Sequence, residues 1–167
     1  EGLVTGSGNF GKAGAGTLVL SGNNTYSGVT FANGGILRAG SSTAFGTGGI
    51  RMDVAGATLD LAGFDTTVAY LHEQASVTGD TTRTVALGGA TLTIAGNGGF
   101  FSGTIAGNGN LIKNTSGTQT LTGCNNSYTG STRIINSALA VVCLDDGGSN
   151  SSIGNSSAAA GNLYIDN

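Results

Sequence analysis

The sequence predicts an all-β fold in which short strands stack as successive coils. Three observations carry this prediction: 32 glycines without a single proline, short stretches of alternating apolar and polar residues, and a long internal repeat. Charged residues make up only 9 % of the chain, against roughly a quarter in typical soluble domains. The chain can still bury a core, because 38 % of its residues are hydrophobic and its net charge is only −3, unlike a disordered chain.

Alternating segments occur along the whole chain, and many of them begin 8 to 12 residues apart. A period of two in Thr, Val, Ile and Leu is typical of strands with one buried face. Glycine, asparagine, serine or threonine usually separates the segments. In chain order they include TLVL (17–20), IRMDV (50–54), TLDL (58–61), TLTI (91–94) and LYID (163–166). VAYLHEQA (68–75) is compatible with a helix but is too short to predict one.

An internal repeat organises these segments into two related copies. Residues 4–28 align with residues 105–130, at an offset of 101 up to Gly22 and Gly123 and, after one inserted residue, at an offset of 102 from Tyr26 and Tyr128. We expect copies at about 4–39 and 105–141, with a spacer at about 40–104. One copy and its spacer together form a repeating unit that is longer than a single coil, so we expect each unit to hold several stacked coils. The signature positions are Lys12, Gly16, Leu18, Leu20, Gly22, Asn24, Tyr26 and Gly28, and in the second copy Lys113, Gly117, Leu121, Gly123, Tyr128 and Gly130.

The stretch GSGNFGK (6–12) has the G-x-x-x-x-G-K spacing of a phosphate-binding loop. Such a loop needs a helix after it and a hydroxyl residue after the lysine to hold magnesium. Here Ala13 follows the lysine and a strand pattern follows the motif, while the second copy has Ile112 before Lys113. We therefore interpret both copies as recurring turns between strands, and we expect no nucleotide, metal or other cofactor.

The run GAGTLVLSGNNTYSGVTFANGGILRAG (14–40) resembles the autotransporter-associated β-strand repeat, also called the passenger-associated transport repeat. The second copy departs from that pattern at Gln119, at Cys124 and at Asn136–Ser137. The resemblance implies a secreted passenger of a Gram-negative autotransporter, folded as a right-handed parallel β-helix on the cell surface. At roughly 20 to 25 residues per coil, we expect residues 1–167 to form about seven coils of one β-helix segment that is cut from a longer passenger.

Two cysteines, Cys124 and Cys143, lie about one coil apart in the sequence. Residues stacked on adjacent coils have Cα atoms about 4.8 Å apart, a distance that a disulfide accepts. We expect a bridge between neighbouring coils, because exported proteins meet an oxidising compartment. Two free, buried thiols are the alternative.

The remaining titratable residues offer weak candidates for chemistry or binding. Asp60 and Asp65 could form an acid–base pair in a carbohydrate-cleaving enzyme, but turn or outward strand positions suit them better. His72 is expected to be an ordinary surface histidine. The segment 142–152 is an insertion relative to the first copy, and solenoid insertions often carry binding. Its polar residues give a candidate contact loop of Asp145, Asp146, Ser149 and Asn150.

The functional prediction is a structural stalk segment of a surface adhesin, without enzymatic activity. The alternative is an adhesive module that binds host-cell glycan or matrix protein, or that associates with itself in biofilms. A carbohydrate-cleaving β-helix enzyme is a third alternative. The outer-membrane barrel of the same precursor is an expected partner. Nucleic acid is not expected as a partner, because the six Lys and Arg residues are scattered, and no apolar run reaches the roughly 20 residues of a membrane helix.

Overall fold

The computed structural model describes residues 2–74, 81–143, 153 and 163–166, which form a stack of short parallel β-strands. The described strand pairs are parallel throughout. Parallel strands need crossover connections, and here each crossover is the remainder of one turn of a solenoid. The predicted all-β solenoid is confirmed, with about six turns in place of the expected seven.

The strands of successive turns lie on three faces of the solenoid. The first face holds β1 (Phe10–Ala13), β3 (Thr30–Asn33), β5 (Ile50–Arg51) and β8 (Leu71–His72), then β11 (Phe100–Phe101), β14 (Thr118–Leu121) and β16 (Ala138–Val141). The second face holds β2 (Thr17–Leu20), β4 (Ile36–Ala39), β6 (Thr58–Asp60), β9 (Thr84–Ala86) and β12 (Thr104–Ala106). The third face holds β7 (Thr66–Val68), β10 (Thr91–Ile94), β13 (Asn110–Asn114), β15 (Thr132–Ile135) and β17 (Leu163–Asp166).

The core is a set of apolar columns that run along the solenoid axis. On the second face Leu37, Leu59, Val85 and Ile105 follow one another in register, and all four are fully buried. Strand alternation explains the column, since residues at every second position point to the same side. No single strand of three or four residues could bury such a surface alone, so the turns stabilise one another by stacking.

The two repeat copies occupy different faces of the solenoid. Lys12 lies on β1 of the first face, whereas its counterpart Lys113 lies on β13 of the third face. Leu20 lies on the second face, and its counterpart Leu121 lies on the first. The same local structure is therefore repeated after a rotation by one face, which places equivalent outward residues of the two copies on different sides.

Two details differ from the sequence-based assignments. The alternation in IRMDV (50–54) predicts that Val54 shares the buried face of Ile50 and Met52, but Val54 is 43 % exposed, because β5 ends at Arg51 and a turn follows. Within the stretch 68–75, Val68 ends β7 and Leu71–His72 form β8, so the described residues there contain strand and no helix. No helix in the described part of the chain is long and apolar enough to cross a membrane.

Candidate functional site

The lysine of the first repeat copy points into a corner of the solenoid and is 8 % exposed. Its ammonium group donates to the carbonyl oxygens of Ala13 at 2.9 Å and Gly14 at 2.6 Å. It also donates to the Gly34 carbonyl of the following turn at 2.9 Å. A lysine ammonium has three donors, so Lys12 engages them all with backbone carbonyls and joins two turns.

The lysine of the second copy occupies an equivalent corner of the solenoid. Lys113 is fully buried and donates to the carbonyl oxygens of Asn114 at 3.1 Å and Thr115 at 3.0 Å. It reaches the Gly96 carbonyl of the preceding turn at 3.1 Å. Burial lowers the pKa of the Lys113 ammonium from 10.5. The sequence has no third lysine, so both lysines of the chain act inside the fold rather than on its surface.

The phosphate-loop spacing at residues 6–12 leads into a strand, because β1 spans Phe10–Ala13. A nucleotide would have to compete with three carbonyl groups for the Lys12 ammonium. The backbone corner thus explains the lysine without any ligand.

An asparagine of each copy bridges consecutive turns. The Asn24 side chain accepts from the Val4 N–H at 2.9 Å and donates to the Ala44 carbonyl at 2.7 Å. Asn126 accepts from the Ile105 N–H at 2.6 Å. Both asparagines are buried, where an amide side chain needs hydrogen-bond partners. They act as internal links that satisfy backbone groups at the corner between two strands.

A tyrosine and a threonine pair inside the solenoid in both copies. The hydroxyl groups of Tyr26 and Thr30 lie 2.6 Å apart, and those of Tyr128 and Thr132 lie 2.5 Å apart. Burial raises the pKa of Tyr26, and it raises the pKa of Tyr128 to about 12, against the hydrogen bonds to the threonines, which act in the opposite direction. The tyrosines are therefore neutral parts of the core.

The signature glycines and leucines also serve the packing of turns. A side chain on Gly28 would meet the Gly8 carbonyl, and one on Gly130 would meet the Gly109 carbonyl. Gly117 adopts a φ of 93°, which L side chains rarely do. The other signature residues lie at strand ends, corners or inward positions and are Gly16, Leu18, Leu20, Gly22, Leu121 and Gly123.

The structure joins Cys124 and Cys143 in a disulfide with Cα atoms 5.3 Å apart. Cys124 follows β14 and Cys143 follows β16 on the next turn. Since β14 and β16 pair along their length, the bridge fastens two turns immediately after their strands end. The contact loop predicted at Asp145, Asp146, Ser149 and Asn150 lies outside the described residues.

The acidic candidates for catalysis have structural partners on different faces. Asp60 forms an ion pair with Arg38 at 3.0 Å and accepts from the Ala62 N–H at 2.9 Å. Asp65 precedes β7 of the third face and accepts from the Thr91 N–H at 2.7 Å. Asp60 belongs to the second face, and each of the two carboxylates is already engaged in a structural contact.

His72 is half-buried rather than freely exposed. Its Nδ1 accepts from the Phe100 N–H of the next turn at 3.1 Å, so it links β8 to β11 on the first face. The described residues contain no group of three or more His, Cys, Asp or Glu side chains that could hold a metal ion.

Sequence reasoning missed a buried ion pair in the solenoid. Arg83 and Glu73 lie 2.9 Å apart, and both side chains are fully buried. The Ser102 hydroxyl donates to the other Glu73 oxygen at 2.6 Å. In the sequence, Glu73 and Arg83 are simply two opposite charges at the two ends of the connection between β8 and β9. Charged residues ordinarily lie on a solvated surface, so the sequence did not indicate a buried pair.

Comparison with known proteins places these observations in a family. The family model for the passenger-associated transport repeat matches residues 10–39 and 111–138, which contain the lysine corners and the tyrosine–threonine pairs. The chain is 53 % identical to the protein described as "Adhesin BmaC autotransporter" of Brucella suis biovar 1 (strain 1330), over 99 % of this chain. It spans only 5 % of that relative's length. No solved structure matches the chain significantly. The matches identify the chain as an autotransporter passenger sequence with passenger-associated transport repeats, a class of secreted, outer-membrane-anchored proteins of the Gram-negative cell surface.

Proposed function

We propose that the chain is a structural, non-enzymatic stalk segment of a surface adhesin and supports the folding and display of its passenger. The observation that carries this proposal is that the polar signature residues hold turns together. Lys12, Lys113 and Asn24 each bond to a backbone group in a neighbouring turn. A side chain engaged in this way contributes to the rod and leaves little for chemistry on a substrate.

The adhesive part of the proposal rests on the relative, which is described as an autotransporter adhesin. The partners proposed for the whole surface protein are a host-cell glycan or matrix protein, or a second copy of itself. The outer-membrane barrel of the same precursor is the proposed anchor. Residues 1–167 are proposed to act as one solenoid segment, with the repeat copies at about 4–39 and 105–141 around the spacer at about 40–104.

Segment exchange in the full-length surface protein tests the stalk role. The segment is replaced by an unrelated β-solenoid with the same number of turns, and surface display and adhesion to host cells are measured separately. Retained display and adhesion support a stalk. Retained display with lost adhesion shows that the segment carries binding in addition to its structural role, and lost display overturns a stalk that any solenoid of the same length can replace. As a control, the native turns are rejoined in a circularly permuted order. This variant changes the junctions with the neighbouring segments but keeps the native turns, so it measures the effect of the junctions alone.

A further inference from the structure

The outward side chains of the third face form two polar rows along the solenoid axis. Strand pairing places these residues one turn apart in consecutive steps. The first row consists of Asp65, Thr91, Asn110 and Ser131, and the second of Thr67, Thr93, Ile112, Arg133 and Tyr164. Stacked turns are about 4.8 Å apart, so each row presents regularly spaced groups to the solvent.

Hydrogen bonds between turns hold the first row in place. The Thr91 N–H donates to Asp65 at 2.7 Å, and the Asn110 amide donates to the Thr91 hydroxyl at 3.4 Å. The Ser131 N–H and hydroxyl both donate to the Asn110 carbonyl oxygen, at 2.9 and 3.1 Å. A row fixed in this way has little conformational entropy left to lose when a ligand binds.

The second row contains two threonine hydroxyl groups that form no hydrogen bond with the described part of the chain. Thr67 and Thr93 are paired in register on adjacent turns, and in the described part of the chain neither hydroxyl takes part in a hydrogen bond. Ile112 follows Thr93 in the same row and is half-buried. The row therefore combines free donors and acceptors with a small apolar surface.

A concavity lies at each end of these rows. One, of about 330 Å³, is lined by Asp65 and Thr67 together with Ser42, Thr43, Gly46 and Thr47. The other, of about 380 Å³, is lined by Ser131, Arg133, Tyr164 and Asp166. Both volumes lie at the lower end of the range for small-molecule sites. Hydroxyl groups line the first concavity, and a half-exposed tyrosine ring lies in the second.

Charge narrows the choice of ligand. Arg133 forms an ion pair with Asp166 at 2.6 Å, which neutralises the basic group of this face. Asp65 has no ion-pair partner among the residues that the structure describes. The face is therefore slightly acidic and repels anionic chains such as uronic acid polymers, while its hydroxyl, amide and carboxylate groups complement the hydroxyl groups of a neutral sugar.

We propose that the third face is a binding track for a neutral, linear oligosaccharide that lies along the solenoid axis. The inference rests on the proposed adhesive function and assigns it a ligand class and a surface. Thr67 and Thr93 bond to sugar hydroxyl groups, Ile112 and Tyr164 pack against the apolar faces of sugar rings, and the two concavities hold the ends of the bound segment.

The test uses the 167-residue chain and two neutral probes, an N-acetylglucosamine hexasaccharide and cellohexaose, titrated by NMR. We expect saturable shifts confined to the third face. The T67V/T93V variant should bind about tenfold more weakly, because two sugar-facing hydroxyl groups are lost. The matched control is T58V/T84V, since Thr58 and Thr84 are the equivalent adjacent, outward threonines of the second face; its affinity should equal that of the wild type.

Three results would overturn the track. They are no saturable binding of either probe at about 10 mM, an equal loss of affinity in T58V/T84V, and tighter binding of hyaluronan than of the neutral probes. Each of these results leaves the stalk proposal standing, because segment exchange tests that role without any sugar.

Discussion

The Tyr128 and Thr132 hydroxyl groups lie 2.5 Å apart within the solenoid, and both side chains are buried. The first repeat copy holds the same pair as Tyr26 and Thr30. Thr132 belongs to the third face and Thr30 to the first, so the pair is a property of the local repeat and not of one side of the rod. Each pair joins a corner to the strand that follows it.

Alkaline pH should destabilise the fold through this pair. The pKa of Tyr128 rises from 10.0 to about 12 on folding, so its stabilising contribution is complete below pH 10 and is lost as the pH rises towards 12. A pKa shift of this size corresponds to about 3 kcal/mol of unfolding free energy. Urea unfolding, followed by circular dichroism across this pH range, measures the loss.

Tyr128→Phe should flatten the alkaline loss and cost about 1 kcal/mol at neutral pH, where one hydrogen bond is removed. Tyr26 is shifted in the same direction, so some alkaline dependence remains. Tyr164→Phe is the control, because Tyr164 is 49 % exposed. An identical alkaline profile in wild type and Tyr128→Phe would contradict the assignment.

Lys113→Met should lower the free energy of unfolding by about 2 to 3 kcal/mol. The change keeps an apolar stem of similar length but leaves the carbonyl oxygens of Gly96, Asn114 and Thr115 without their charged donor. Arg38→Met is the matched control, since its ion pair with Asp60 is half-exposed and should be worth less than about 1 kcal/mol. Equal effects of the two changes on urea unfolding would show that the lysine corner contributes little.

Much of the fold could be predicted because the pattern of the sequence is local. Leu59 and Leu92 occupy the inward positions that alternation in TLDL and TLTI assigns to them. The rotation between repeat copies was not predictable in the same way. It depends on the lengths of the connections between strands, above all the connection between His72 and Thr84. No local sequence pattern reveals how many residues complete one turn of the solenoid.

The internal roles of polar residues were also hidden from the sequence. Gln119 stands where the repeat has leucine, yet it is fully buried and its amide donates to the Leu71 carbonyl at 2.8 Å. This bond passes over Gly99, whose missing side chain makes room for the glutamine. Residues 71 and 119 lie two turns apart, so only the stacked structure brings them together.

The Glu73–Arg83 pair should behave as a coupled unit. Glu73→Met or Arg83→Met alone should cost about 3 to 5 kcal/mol, because each removes one side of a fully buried ion pair. The double variant should regain most of that stability, since both charges are then absent. Free energies of unfolding for the four proteins give the coupling energy directly.

Additive losses in the double variant would show that the two charges do not stabilise each other. Asp60→Asn provides a surface reference, because the Arg38–Asp60 pair lies in a half-exposed setting and its loss should cost less than about 1 kcal/mol.

Removal of the disulfide should destabilise the last described turns. In Cys124→Ser/Cys143→Ser, a loop closed at a separation of 19 residues is opened, which corresponds to about 3 kcal/mol in the chain-entropy estimate. Urea unfolding with and without dithiothreitol measures the effect. The wild type should weaken in the reductant to the level of the double variant, whereas the double variant itself should not respond. A wild type indifferent to reductant would contradict a stabilising bridge.

Two glycines of the repeat signature should respond differently to the same substitution. A Cβ on Gly130 would collide with the Gly109 carbonyl of the preceding turn, whereas a Cβ on Gly16 meets nothing within 4 Å. Gly130→Ala should therefore cost about 2 kcal/mol or more, because backbone atoms must move apart, while Gly16→Ala should be neutral or slightly stabilising. Thermal unfolding of both variants checks the contrast. Equal stability of the two proteins would mean that the turns do not pack as closely at Gly130 as the structure shows.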